Sequence, residues 1–109
     1  MNYFMYYVYI IKSKKNNRLY VGLTDNLKKR FAEHNKGLSF HTKKYRPWVL
    51  VYYEAYTAYK DAEIREKRLK KFAKGYAQLK NRIINSINEA WKVWDNKFSQ
   101  YKCDKDDPI

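Results

Sequence analysis

Two tyrosine-centred triplets, Tyr7-Val8-Tyr9 and Tyr20-Val21-Gly22, place Tyr9 and Tyr20 eleven residues apart. Arg30 and His34 follow, four residues from one another, and a carboxylate, Glu66, appears later amid apolar helical positions. Phenols, a guanidinium, an imidazole and a carboxylate are the parts of a metal-assisted phosphodiester hydrolase. A carboxylate can hold a hard cation. A guanidinium binds two phosphate oxygens and offsets charge building up at phosphorus. Phenol and imidazole groups orient water or move its proton.

Each residue also has an ordinary structural explanation. At ~100° per residue, Ala62, Leu69 and Ala73 share a helix face with Glu66 near its centre. Burying a carboxylate there is costly unless a cation or hydrogen bonds compensate. Two readings stay open: an ion pair with a neighbouring Lys or Arg, or a ligand for a divalent ion such as Mg²⁺. Glu63 lies ~100° off this stripe and ranks lower. Arg30 could be a solvated surface residue, and His34 a helix C-terminal cap. The chain has 12 tyrosines, and strands favour them in any case. A free phenol, with a pKa of about 10, needs nearby positive charge or a proton relay to act as a base. Gly22 would permit a close approach by a phosphate backbone or a neighbouring chain.

The elements that must position these groups follow from pattern. Residues 6–12 and 18–23 are rich in Tyr, Val and Ile and are expected as strands joined by a polar turn. Alternation then puts Val8, Ile10, Leu19 and Val21 on one face, and Tyr7, Tyr9, Tyr20 and Gly22 on the other. A helix is expected over 26–35, capped by Thr24 or Asp25 and stopped at Gly37. Residues 38–47 are expected as a basic loop that could face substrate; Lys43, Lys44 and Arg46 there, with Arg65, are the expected nucleic-acid contacts, and His41 has no motif around it. Residues 48–55 are nearly all apolar and predict a well-buried strand. A second helix is expected over 60–74, capped near Thr57 or Asp61 and ended at Gly75. A third runs from 78 into the Trp91 region with Leu79, Ile83, Ile87, Trp91 and Trp94 on one stripe. The fold class expected is α/β (α+β): a small three-stranded antiparallel sheet flanked by about three helices, in the order β-β-α-β-α-α. Residues 1–95 would form the domain and 96–109 a flexible tail.

Composition narrows the function classes. A chain of 109 residues, 45% hydrophobic, is expected to fold as one domain. The 24 Lys and Arg against 11 Asp and Glu leave a net charge of +13, which favours a polyanionic partner through counterion release. There is no apolar run long enough to span a bilayer as a helix, and the start lacks the marks of a signal peptide. The single cysteine, Cys103, can form neither an internal disulfide nor a zinc cluster. A cytoplasmic location is expected. Glycine-rich phosphate loops, serine nucleophile elbows and Cys/His clusters are lacking. Basic residues interleaved with aromatics also suit stacking on single-stranded nucleic acid without catalysis.

Taken in order, Tyr7-Val8-Tyr9, Tyr20-Val21-Gly22, Arg30, His34-Asn35 and the segment 62–70 around Glu66 resemble the GIY-YIG nuclease family over about residues 6–90. The likeness is strongest to minimal bacterial members. Tyr7 departs from the pattern, standing where the first triplet has glycine. The family includes the incision domain of a nucleotide-excision repair subunit, which suggests a DNA-repair setting. The resemblance implies hydrolysis through a single Mg²⁺ or Mn²⁺ held by Glu66. Tyr20, helped by His34, would activate or orient the water, Tyr9 would hydrogen-bond within that network, and Arg30 would offset developing charge. A DNA endonuclease of low sequence specificity is the expectation. Substrate choice would come from the domain itself, a homodimer partner or an accessory protein. The alternatives are a non-catalytic nucleic-acid-binding module and a nuclease subunit activated by a partner.

Overall fold

The computed structural model describes residues 4–97, with side chains described as far as residue 90. Residues 98–109 of the tail expected over 96–109, Cys103 among them, and the side chains of Trp91 and Trp94 therefore lie outside the described residues.

The first hairpin forms where β-prone residues flank a polar turn. Strands β1 (Tyr6–Ser13) and β2 (Leu19–Thr24) pair antiparallel, with Tyr9 opposite Gly22 and Ile11 opposite Tyr20. The turn closes on Ser13, whose Oγ accepts from the backbone N–H groups of Lys15 and Asn16. Asn17 takes the positive φ of 64° that Asn tolerates better than most residues. Strand β3 (Trp48–Tyr56) pairs antiparallel on the other side of β1, giving the order β2-β1-β3 with a bulge between Ile10 and Ile11.

Alternation sorts the sheet's residues as its period requires. Val8, Ile10 and Val21 are buried with Ala62, Leu69 and Leu79 from the helices. On the opposite face Tyr9, Ile11 and Trp48 are buried, with Tyr20, Leu27, Phe31 and Tyr45 against them. Helix α1 (Leu27–Lys36) covers this second face; α2 (Tyr59–Lys71) and α3 (Ala73–Arg82) cover the first, and α4 (Ile84–Lys97) completes the chain of helices.

Four differences from expectation have local causes. Only Trp48 and Val49 of β3 are buried, and Tyr53 is 51% exposed, because β3 is an edge strand covered unevenly on its two faces. Among the described residues the α-helices number four. Phe72 leaves the helical region at φ −112° and ψ 99°, ending α2 and preceding α3. Gly75 consequently sits inside α3 rather than ending a helix, and Ala73 leaves the face it was expected to share with Glu66. The expected last helix is divided at Ile83, which caps α3 at φ −113° and ψ 24°. Among the caps, Asn26 rather than Thr24 or Asp25 starts α1, its Oδ1 accepting from the Lys29 N–H at 3.1 Å. Ala58 precedes α2 without a side-chain cap. Gly37 does stop α1, in the left-handed conformation at φ 80° that glycine adopts at little cost.

Candidate active site

Tyr9 lies on the central strand and is 1% exposed. Gly22, its partner on β2, makes room for its ring: a Cβ there would meet the phenol oxygen at 2.2 Å. The close approach that Gly22 permits is thus filled by Tyr9, not by a phosphate. The phenol reaches α1, where its oxygen lies 2.7 Å from His34 Nε2. His34 Nδ1 in turn lies 2.7 Å from the Thr42 hydroxyl. His34 and Thr42 are both fully buried, so this is a dry line of three polar groups, each satisfied by the next.

Burial sets the ionisation of the line. It pushes the Tyr9 phenol up to about 12, against an opposing pull from the Arg30 guanidinium. His34 falls to about 4, again through burial first and the Arg30 charge second. At neutral pH the phenol keeps its proton and the imidazole is neutral. A neutral imidazole has one donor and one acceptor. One of its two bonds must donate and the other accept, and His34 is not acting as a charged helix cap.

The remaining expected groups gather around this line. Arg30, one turn before His34 on α1, donates to Glu33 at 3.1 Å and to the Ser39 hydroxyl at 3.4 Å, and its charge acts on Tyr9. Tyr20 meets the His34 ring edge-on, centroids 5.4 Å apart, and the Trp48 ring at 6.2 Å. Glu66 comes from α2, whose buried residues pack on the opposite face; the Lys70 ammonium that pairs with it also lies 5.6 Å from the centroid of the Tyr20 ring. The Glu66 charge, too, acts on Tyr9. The structure therefore brings Tyr9, Tyr20, Arg30, His34 and Glu66 to one region.

Of the two readings of Glu66, the ion pair is present: Lys70 Nζ lies 3.0 Å from Oε2. Magnitude limits what it means. Lys70's side chain is 46% exposed and pairs through one oxygen within the same helix. Such pairs contribute about 0.3–0.5 kcal/mol. That is too little to clasp Glu66 permanently.

The expected nucleic-acid contacts divide. Lys43 and Lys44, on a 3-10 turn (Lys43–Tyr45), and Arg46 are all exposed, with Lys43 5.4 Å from the Phe40 ring centroid and Arg46 over Gly37. Arg65 is directed inward instead, donating to Glu54 Oε1 at 2.8 Å and Oε2 at 3.3 Å. Glu54 also accepts from the hydroxyls of Tyr52 and Tyr56. Burial opposes its ionisation, but these bonds outweigh it and hold its carboxyl below the usual range.

Three contributors are not among the expected site residues, although Asn35 belongs to the His34-Asn35 pair. Thr42 stands in an irregular polar loop, where no periodicity marks a buried hydroxyl. Trp48 packs against Tyr20 and sends its indole N–H to the Thr42 carbonyl at 2.9 Å, which fixes the loop beneath His34. Asn35 grips β3, its side-chain amide donating to Trp48 O at 3.0 Å and accepting from Trp48 N at 2.6 Å. Its place beside His34 was the one available signal.

Residues 5–88 match the GIY-YIG catalytic domain. A UPF0213 protein of Staphylococcus haemolyticus is 44% identical over 70 residues, covering 63% of this chain and 84% of the relative. A UPF0213 protein of Clostridium perfringens is 41% identical over 71 residues, covering 64% of this chain and 75% of the relative. Among solved structures, the solution NMR structure of a UPF0213 protein from Bacillus halodurans aligns with a TM-score of 0.46 and 24% identity, over 72% of this chain and 86% of that one.

Proposed function

Because this chain belongs to the GIY-YIG catalytic domain family, we propose that it is a divalent-metal-dependent endonuclease. Its reaction is hydrolysis of phosphodiester bonds in DNA, with low sequence specificity. The observation that supports this reading is the convergence of the Tyr9–His34–Thr42 line with Arg30, Tyr20 and Glu66, drawn from β1, β2, α1, α2 and one loop.

The donor set fits a hard cation held sparingly. Among the described residues, no three His, Cys, Asp or Glu side chains gather into a cage. Glu66 alone would anchor Mg²⁺ or Mn²⁺, leaving the rest of the shell to waters and phosphate oxygens, an arrangement Mg²⁺ commonly accepts. When bound, the ion supplies Lewis acidity toward a phosphate oxygen.

The chain's own groups take the remaining roles. Arg30 binds a non-bridging oxygen and offsets charge developing at phosphorus. Tyr20 orients the attacking water. Tyr9 remains protonated and donates a hydrogen bond within the site, its hydroxyl fixed by neutral His34. His34 hydrogen-bonds Tyr9 rather than Tyr20, so its help to Tyr20 is limited to ring packing. With a net charge of +13, the protein attracts the polyanion electrostatically, and Lys43, Lys44 and Arg46 hold its backbone. Substrate choice falls to the domain, a second copy or an accessory protein.

The test is nicking of supercoiled plasmid with Mg²⁺ or Mn²⁺. Arg30→Ala and Glu66→Gln should each lower the rate by roughly 100-fold or more while circular dichroism stays unchanged. Equal background cleavage by wild type and both variants across metals would leave a nucleic-acid-binding module instead.

A further inference from the structure

Lys70 occupies a place that the reaction scheme does not use. Its ammonium stands 3.0 Å from Glu66 Oε2 and 5.6 Å from the centroid of the Tyr20 ring. It thus lies beside both the carboxylate assigned to the metal and the ring of the tyrosine assigned to the water. A divalent ion on Glu66 would face this ammonium at short range, and two like charges at that separation repel. The two cations therefore compete for one carboxylate.

The pair is built to open. It stands one helical turn apart, uses a single oxygen, and leaves 46% of the lysine side chain in contact with solvent. Lysine is a point charge on a flexible stem that can change partners without rebuilding its surroundings. Lys67, by contrast, lies on the same helix and pairs with Glu63 at 3.7 Å. It carries the same charge but belongs to a different carboxylate.

We infer that Lys70 is the resident counter-ion of Glu66, held there in the free protein and displaced when a divalent ion binds. This rests on the reading of Glu66 as the metal ligand. Displacement lowers the metal affinity of the free protein. A nucleic-acid phosphate gives the released ammonium a new partner, so metal and substrate bind better together than apart.

Calorimetric titration of the free, full-length protein with Mn²⁺ tests this without any turnover. Lys70→Ala and Lys70→Met should bind Mn²⁺ at least about twofold more tightly, the worth of the displaced pair, while Lys70→Arg should stay near wild type and Lys67→Ala should leave the affinity unchanged. Glu66→Gln should abolish binding in either background. If Lys70→Ala matches wild type or Lys67→Ala while Glu66→Gln still abolishes binding, the counter-ion role is overturned and the metal reading stands. If Glu66→Gln binds like wild type, or neither wild type nor Lys70→Ala binds Mn²⁺, both fall.

Discussion

Replacing Gly22 by alanine should cripple the site through packing alone. Gly22 has no unusual backbone conformation to protect; what it provides is space. A Cβ there would lie 2.2 Å from the Tyr9 oxygen, 2.3 Å from Cζ and 2.8 Å from Cε1. Tyr9 is 1% exposed and cannot swing into solvent, so the ring or the strand must shift. Overpacking of this kind costs about 1–3 kcal/mol. Losing the Tyr9–His34 hydrogen bond adds about 1 kcal/mol, and alanine's better strand entropy returns about 0.5–1 kcal/mol. The net loss is about 2 kcal/mol, which lowers Tm by roughly 8–16 °C in a domain of this size. Thermal unfolding followed by circular dichroism reads this directly, with plasmid nicking measured in parallel at low temperature. Tyr9→Val combined with Gly22→Ala should be less destabilising than the sum of the two single changes, since the clash then disappears. A Gly22→Ala protein melting within about 2 °C of wild type and nicking normally would refute the placement of Tyr9 over Gly22.

Stability should fall in mild acid because of His34. Its folded value of about 4 lies below the ordinary 6.5, so the unfolded chain takes up the proton first as pH drops. The contribution is complete above pH 6.5 and disappears between there and about 4, amounting to at most about 3 kcal/mol. Urea denaturation at a series of pH values should show this slope flattened in His34→Gln; an equal slope in both proteins would mean that the imidazole is not buried and neutral. Thr42→Val leaves His34 Nδ1 without its partner and should lose about 1–2 kcal/mol, largely restored by Thr42→Ser; equal midpoints for the two variants would exclude the bond. Glu54→Ala strands the Arg65 guanidinium and two phenols, costing about 2–4 kcal/mol. A loss below about 0.5 kcal/mol in the same denaturation assay would show that the network contributes little.

Legibility in the sequence followed the range of the physics. The hairpin and its faces were readable because alternation is local: Val8 and Ile10 against Tyr7 and Tyr9 needs only neighbours. Gly37 was readable for the same reason, since a helix stop is a single-residue requirement. The apolar run of β3 misled on burial, because nothing local says whether a strand is central or at an edge. Gly75 misled as a helix stop because the break at Phe72, without glycine or proline, leaves no compositional mark. In the site, the helical spacing of Arg30 and His34 placed them on one flank. Which hydroxyl His34 would meet depended on the register of Tyr9 against Gly22 and on a distant loop, and neither is encoded nearby. Glu66 stood out by its apolar neighbours, whereas Arg65 reads as a nucleic-acid contact because nothing near it in the chain points to Glu54, its partner on β3.

The grip of Asn35 on both backbone groups of Trp48 closes the base of the segment between α1 and β3, much as one rung of a ladder would. The same segment is also fastened to the turn after β1, the Tyr45 carbonyl accepting from Ser13 Oγ and the Pro47 carbonyl from the Lys14 N–H, so an exchange of its residues must keep both fastenings. Thr42, which holds His34, and Ser39, which meets Arg30, tie its interior to the candidate site residues, and Tyr45 packs in the cluster around Tyr9. On the proposed function, grafting alternative residues between these fixed points should change which nucleic-acid shapes are accepted while leaving Tyr9, His34 and Arg30 in place.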